Sequence, residues 1–132
     1  DELHTVFRRI SEQLNQSGSN SDTGSYYDKL IQKARLYMEE NLSYITLKQT
    51  AIHVGLSPSY LSSIYKQQTG NSFSDDILNM KMQMARQLLN NSDLKTYEIA
   101  EKLGYDNPKN FTRAFRNYYG FSPRDFKKNG GE

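Results

Sequence analysis

IAEKLGYDNPKNFTRAFRNYYGFSPRDF, residues 99–126, decides the fold, because its punctuation has already occurred once earlier in the chain. Ala100 and Gly104 match Ala51 and Gly55 at an offset of 49. Pro108, Gly120, Ser122 and Asp125 match Pro58, Gly70, Ser72 and Asp75 at an offset of 50. The extra residue falls in Tyr105-Asp106-Asn107, where the first copy has Leu56-Ser57. One insertion in a turn, with register kept on either side, marks a duplicated supersecondary unit.

Each copy carries the same local instructions. Leu47, Ala51, Ile52 and Val54 form a short helix closed by Gly55, and Tyr97, Ile99, Ala100 and Leu103 form one closed by Gly104. Glycine there takes the left-handed conformation that ends a helix at little cost. Ala51 and Ala100 are small enough to let the next helix approach. Ser57-Pro58 and Asn107-Pro108 then restart the chain: a side-chain oxygen caps a free amide and proline suits the first helical position. Ser72 and Ser122, each with an Asp three residues on, repeat a capping box with Asp in place of Glu. Helix, turn and capped second helix, twice over, predict two helix-turn-helix units.

The second helix of each unit has two faces. At about 100° per residue, Phe111, Ala114, Phe115 and Tyr118 share one arc and are expected to be buried. Lys109, Arg113 and Arg116 lie opposite, flanked by Asn110, Thr112 and Asn117. In the first copy Leu61, Ile64 and Tyr65 are the buried set, and Ser59, Ser62, Ser63, Lys66 and Gln67 point outward. Neither outward face carries an acid, although the chain has 15 of them. An exposed helix face of Arg, Lys, Asn, Ser and Gln suits a major groove lined with phosphates and base edges.

Around these units the sequence is helical. Residues 74–90 read as a long central helix with Ile77, Met80, Met84 and Leu88 in its stripe, Lys81 and Ala85 beside them, and the methionines as core filling. Tyr27, Leu30, Ile31, Ala34, Tyr37 and Met38 form an apolar stripe in an earlier helix that Asn41 ends. Residues 15–25, NQSGSNSDTGS, hold no apolar residue and read as a flexible linker. Before it, Leu3, Phe7, Ile10 and Leu14 make a short seam of a linker helix. The expected organisation is residues 1–25 as linker helix and linker, and 26–132 as the domain, with helix-turn-helix units at 46–69 and 96–119. The fold class is all-α, about seven helices, with two helix-turn-helix subdomains joined by a long central helix and preceded by a linker helix.

The net charge of +2 hides an asymmetry. Residues 1–45 hold five Lys and Arg against seven acids, whereas residues 107–128 hold six against one. A basic end of this kind is the electrostatic footprint of phosphate neutralisation. The 132 residues contain no cysteine, which excludes disulfides, cysteine-ligated zinc and a cysteine nucleophile. The two histidines, His4 and His53, build no metal or catalytic motif, and no glycine loop cradles a phosphate. No catalytic residue, metal or cofactor is therefore expected. No apolar run approaches the roughly 20 residues that span a bilayer. A chain opening at Asp1 is read as a piece of a longer cytoplasmic protein. A helical adaptor using its ten tyrosines, or an architectural protein binding any DNA, are the competing readings.

With the repeat in place, residues 26–128 resemble the DNA-binding domain of the AraC/XylS transcription regulators. Residues 99–126 are close to that family's C-terminal signature, and LSPSYLSSIYKQQTGNSF (residues 56–73) resembles its first unit. The resemblance implies a sequence-specific regulator of bacterial transcription that puts its two recognition helices into successive major grooves of double-stranded DNA. It places base-reading positions at Ser59, Ser62, Ser63, Lys109, Asn110 and Arg113, and backbone contacts at Lys66, Gln67, Thr112 and Arg116. It further implies RNA polymerase as a partner, and a homodimer in the intact protein formed through a preceding part. Three positions depart from the family pattern: Thr50 replaces an apolar residue, Asp76 an aromatic and Lys81 an arginine. The first two are expected to weaken local packing. The serine-rich first reading helix implies weak base readout by that unit.

Overall fold

Caps and apolar spacing place seven helices along the described part of the chain, residues 22–128 of a computed structural model. They are α1 (Asp22–Glu40), α2 (Leu47–Val54), α3 (Pro58–Thr69), α4 (Phe73–Asn91), α5 (Thr96–Lys102), α6 (Pro108–Tyr119) and α7 (Pro123–Lys128), with no strand among the described residues. The expected seam of Leu3, Phe7, Ile10 and Leu14 and the linker residues 15–21 lie outside them. Residues 22–25, expected as linker, are the first turn of α1. Burial of Ile31, Ala34 and Met38 nucleates the helix, and extending it toward its N-terminus needs no second nucleus.

The helices form two compact units. One comprises residues up to Asn41 with Ile45–Ile77, the other Leu42–Tyr44 with the chain from Leu78 onward. In the first, Ala34, Ala51, Val54 and Leu61 make a buried cluster against which Leu30, Leu47 and Leu56 pack. Ala34 and Ala51 are wholly buried, and their lack of side-chain bulk lets α1 and α2 approach closely. Thr46 and Gln49 close a capping box at the start of α2: the Gln49 amide donates to Thr46 Oγ1 and the Thr46 amide to Gln49 Oε1, both at 3.1 Å. Ser57 Oγ accepts from the Tyr60 amide at 3.2 Å and starts α3.

The second unit is aromatic. Phe111 and Phe115 pack edge to face at 5.9 Å, and Phe115 meets Phe126 at 6.0 Å and Phe121 at 6.2 Å. Arg86 lays its guanidinium over Tyr119 at 5.6 Å and Phe126 at 5.5 Å. Tyr119 donates its hydroxyl to the Met82 carbonyl at 3.0 Å, and Lys127 Nζ donates to the Leu94 carbonyl at 3.2 Å. Ser43 Oγ donates to the Lys102 carbonyl, which holds the turn at Leu42–Tyr44 against α5.

Several expectations about burial need correction. Thr50 and Asp76 are both buried, but each is satisfied rather than disruptive. Thr50 donates its hydroxyl to the Thr46 carbonyl one turn back at 2.9 Å. Asp76 accepts from the Tyr65 hydroxyl at 2.5 Å and from Asn71 Nδ2 at 3.1 Å, with Arg35 Nη2 at 3.7 Å. Burial first, then the hydrogen bond and charge of Asp76, push the Tyr65 phenol far above its ordinary value against the pull of Arg35. Tyr118 is not in the core: it is 38% exposed and donates to Asn79 Oδ1 at 2.9 Å. Ile52 and Tyr97 face solvent at 69% and 55% exposure, because Ala51 and Val54, and Ile99, Ala100 and Leu103, already fill the buried sides of those short helices. On α4 the buried side chains are Phe73, Asp76 and Met80, then Met82, Ala85 and Leu89. At about 100° per residue these two sets occupy opposite faces, so one stripe through Ile77, Met84 and Leu88 does not describe the helix.

Candidate nucleic-acid interface

Helix α6 exposes its proposed reading face because its other face is anchored. Asn107 caps it, accepting from the Lys109 amide at 2.9 Å, and Pro108 occupies its first position. Phe111 and Phe115 are wholly buried, which fixes the rotation of the helix. Each contributes about 1.5–3 kcal/mol to holding that rotation. Lys109, Asn110, Arg113 and Arg116 are consequently exposed, and Thr112 is half-buried. Lys109, Thr112, Arg113 and Arg116, with Pro108 and Asn117, line one shallow hollow along the helix. Three cations and two hydrogen-bonding side chains meet there with no acid among them. Arg116 lies in the last turn, where the helix dipole favours a cation.

Helix α3 follows the same plan with a different chemistry. Leu61, Ile64 and Tyr65 are buried, leaving Ser59, Ser62, Ser63, Lys66 and Gln67 exposed. Lys66 is its one cation, again in the last turn. All ten expected site residues therefore lie on the outer faces of α3 and α6, five in each unit, and the five on α3 include three short serines.

Two residues that the expected sites omit share these surroundings. Asn117 stands one turn beyond Arg113 and lines the same hollow, a position that its spacing from Lys109 and Arg113 already encodes. Tyr60, 42% exposed, flanks the serines of α3 and donates its hydroxyl to that of Tyr27 at 3.0 Å. No local spacing could reveal that pair, since its members are 33 residues apart. His53 stacks on Tyr37 at 4.0 Å with rings 14° apart, which accounts for the exposed imidazole as packing. Among the described residues no group of three or more His, Asp or Glu is placed to hold a metal ion, and no helix is long and apolar enough to cross a membrane.

A family model described as a helix-turn-helix domain matches residues 50–129. The Msm operon regulatory protein of Streptococcus mutans is 33% identical over 130 residues, covering 96% of this chain and 46% of its own length. Among solved structures, the C-terminal domain of AraT, a response regulator from Geobacillus stearothermophilus, is 34% identical with a TM-score of 0.72. That match covers 76% of this chain and 84% of the AraT domain. A Chromobacterium violaceum transcriptional regulator described as AraC-type DNA-binding domain-containing is 26% identical, with a TM-score of 0.71 over 76% of this chain and 90% of that one. The chain spans less than half the length of the curated relatives it matches.

Proposed function

Since the chain belongs to the AraC/XylS family of helix-turn-helix regulators, we propose that it is the DNA-binding output domain of a larger signal-responsive transcription regulator. In this reading it recognises a specific duplex sequence by placing α3 and α6 in successive major grooves, about one helical turn or roughly 34 Å apart. Arg113, Lys109 and Asn110 read bases. Arg113 can bond both O6 and N7 of a guanine, and Asn110 can pair with the edge of an adenine. Ser59, Ser62 and Ser63 reach only single base edges or phosphates, so α3 chiefly positions the domain. Lys66, Gln67, Thr112 and Arg116 hold the sugar-phosphate backbone. The observation that carries the reading is the pair of exposed helix faces without an acid, one of them with three cations in one hollow.

The fuller reading, carried by family membership alone, has the intact protein acting in the cytoplasm as a homodimer that contacts RNA polymerase. The test of DNA binding is affinity for a labelled duplex measured from low to physiological salt, with and without excess competitor DNA. Binding that weakens steeply with salt, by a log–log slope of about −0.9 per neutralised phosphate, is expected. A slope near zero contradicts a nucleic-acid role, and complete displacement by any competitor contradicts sequence preference.

A further inference from the structure

The first unit offers few long polar side chains on α3, yet a second hydrogen-bonding group stands beside them. Tyr60 is the third residue of α3, about 60° around the helix from Ser63 and on the solvent side of buried Leu61. Its hydroxyl meets that of Tyr27 on α1 at 3.0 Å, and Tyr26, 57% exposed, sets its ring 5.4 Å from that of Tyr27. Two phenols carry two protons, and the bond between them uses one. Among the described residues neither hydroxyl has a further hydrogen-bond partner. One O–H proton is therefore always left for an outside acceptor, and a phenol that already accepts a hydrogen bond is the stronger donor.

We propose that the Tyr27–Tyr60 hydroxyl pair is an uncharged clamp for a phosphate oxygen of the duplex lying along α3. Tyrosine hydroxyls are among the groups that position proteins on the DNA backbone. The pair gives a serine-rich unit a fixed contact where a longer cation is missing. The mutual hydrogen bond, more than burial or the neighbouring phenols, raises the Tyr60 phenol above its ordinary value. Tyr26 adds an exposed ring edge beside the site, suited to a deoxyribose. The inference rests on the DNA-binding reading above.

The test is duplex affinity of the intact chain and of Tyr27→Phe, Tyr60→Phe and the double variant, each at several salt concentrations, with thermal unfolding measured in parallel. Phenylalanine keeps the rings and removes only the hydroxyls. The double variant, which keeps neither donor, is expected to bind any duplex sequence about three- to tenfold more weakly, the range of one neutral hydrogen bond. Each single variant should lose less, because the phenol that remains still carries a free O–H but no longer has its partner to fix and polarise it. The salt slope should not change, since no charge is lost, whereas Lys66→Ala should flatten it. Variants that bind like the original chain, while that chain binds DNA, overturn the clamp and leave the DNA-binding reading standing. A loss of affinity matched by a drop in melting temperature gives the pair a structural role and overturns the clamp as well. An original chain that binds no duplex overturns both.

Discussion

Among single residues, side-chain reach decides what each contact can read. The Arg113 guanidinium spans two acceptors of one guanine, a pairing that discriminates by about 1–3 kcal/mol. Arg113→Ala is therefore expected to relax preference at one or two base pairs, seen as flattened positions in a set of selected binding sites. Ser63→Ala removes at most one neutral hydrogen bond and should cost less than about 1 kcal/mol. Lys66→Ala and Arg116→Ala should instead weaken binding to all sequences alike and reduce the salt slope by about 0.9 each. Gly55 and Gly104 separate just as cleanly, although the sequence presents them as equivalents. Both have positive φ, at 78° and 84°, so alanine costs about 1–2 kcal/mol at either. A side chain at Gly55 meets open space, whereas one at Gly104 runs into the Ser43 backbone. That clash should add about 1–3 kcal/mol, making Gly104→Ala clearly the lower-melting variant.

At the scale of elements, the Asp76 carboxylate ties α1, α3 and α4 together within the first unit through Arg35, Tyr65 and the Asn71 turn. Asp76→Ala leaves a buried phenol and a guanidinium without their acceptor and should destabilise the unit by about 3–5 kcal/mol in denaturant titration. The Tyr65 phenol also sets a pH dependence. Its folded value lies above the ordinary one near 10, so the unfolded chain gives up that proton first. The associated stability is complete below about pH 10 and is lost as pH rises toward the folded value. Tyr65→Phe should remove most of this alkaline loss, with the raised phenols of Tyr105 and Tyr119 supplying a smaller remainder. The helices themselves were legible because caps are local: Ser57, Ser72, Asn107 and Ser122 stand directly before the helices they start. The details that escaped are those set by distant partners. Tyr118 finds Asn79, Asp76 finds Tyr65, and α4 carries two buried faces rather than one. Periodicity within one helix carries no information about either.

At the scale of the whole molecule, the duplicated unit was readable because the repeat keeps its register, and family membership follows from the same residues. Both proposed DNA faces were readable too, since Leu61 and Tyr65, and Phe111 and Phe115, fix which sides of α3 and α6 must face out. What the repeat conceals is that the two copies have diverged in chemistry: three cations and two asparagines on α6, three serines and one lysine on α3. The two units are therefore expected to contribute unequally to specific recognition of a duplex. Selection of bound sites from a random duplex pool, run on the original chain, on Arg113→Ala and on Ser63→Ala, tests it most directly. An enriched site is expected that survives Ser63→Ala nearly intact and loses one or two specified base pairs in Arg113→Ala. A pool with no enriched sequence, or a site erased by Ser63→Ala and untouched by Arg113→Ala, would contradict it.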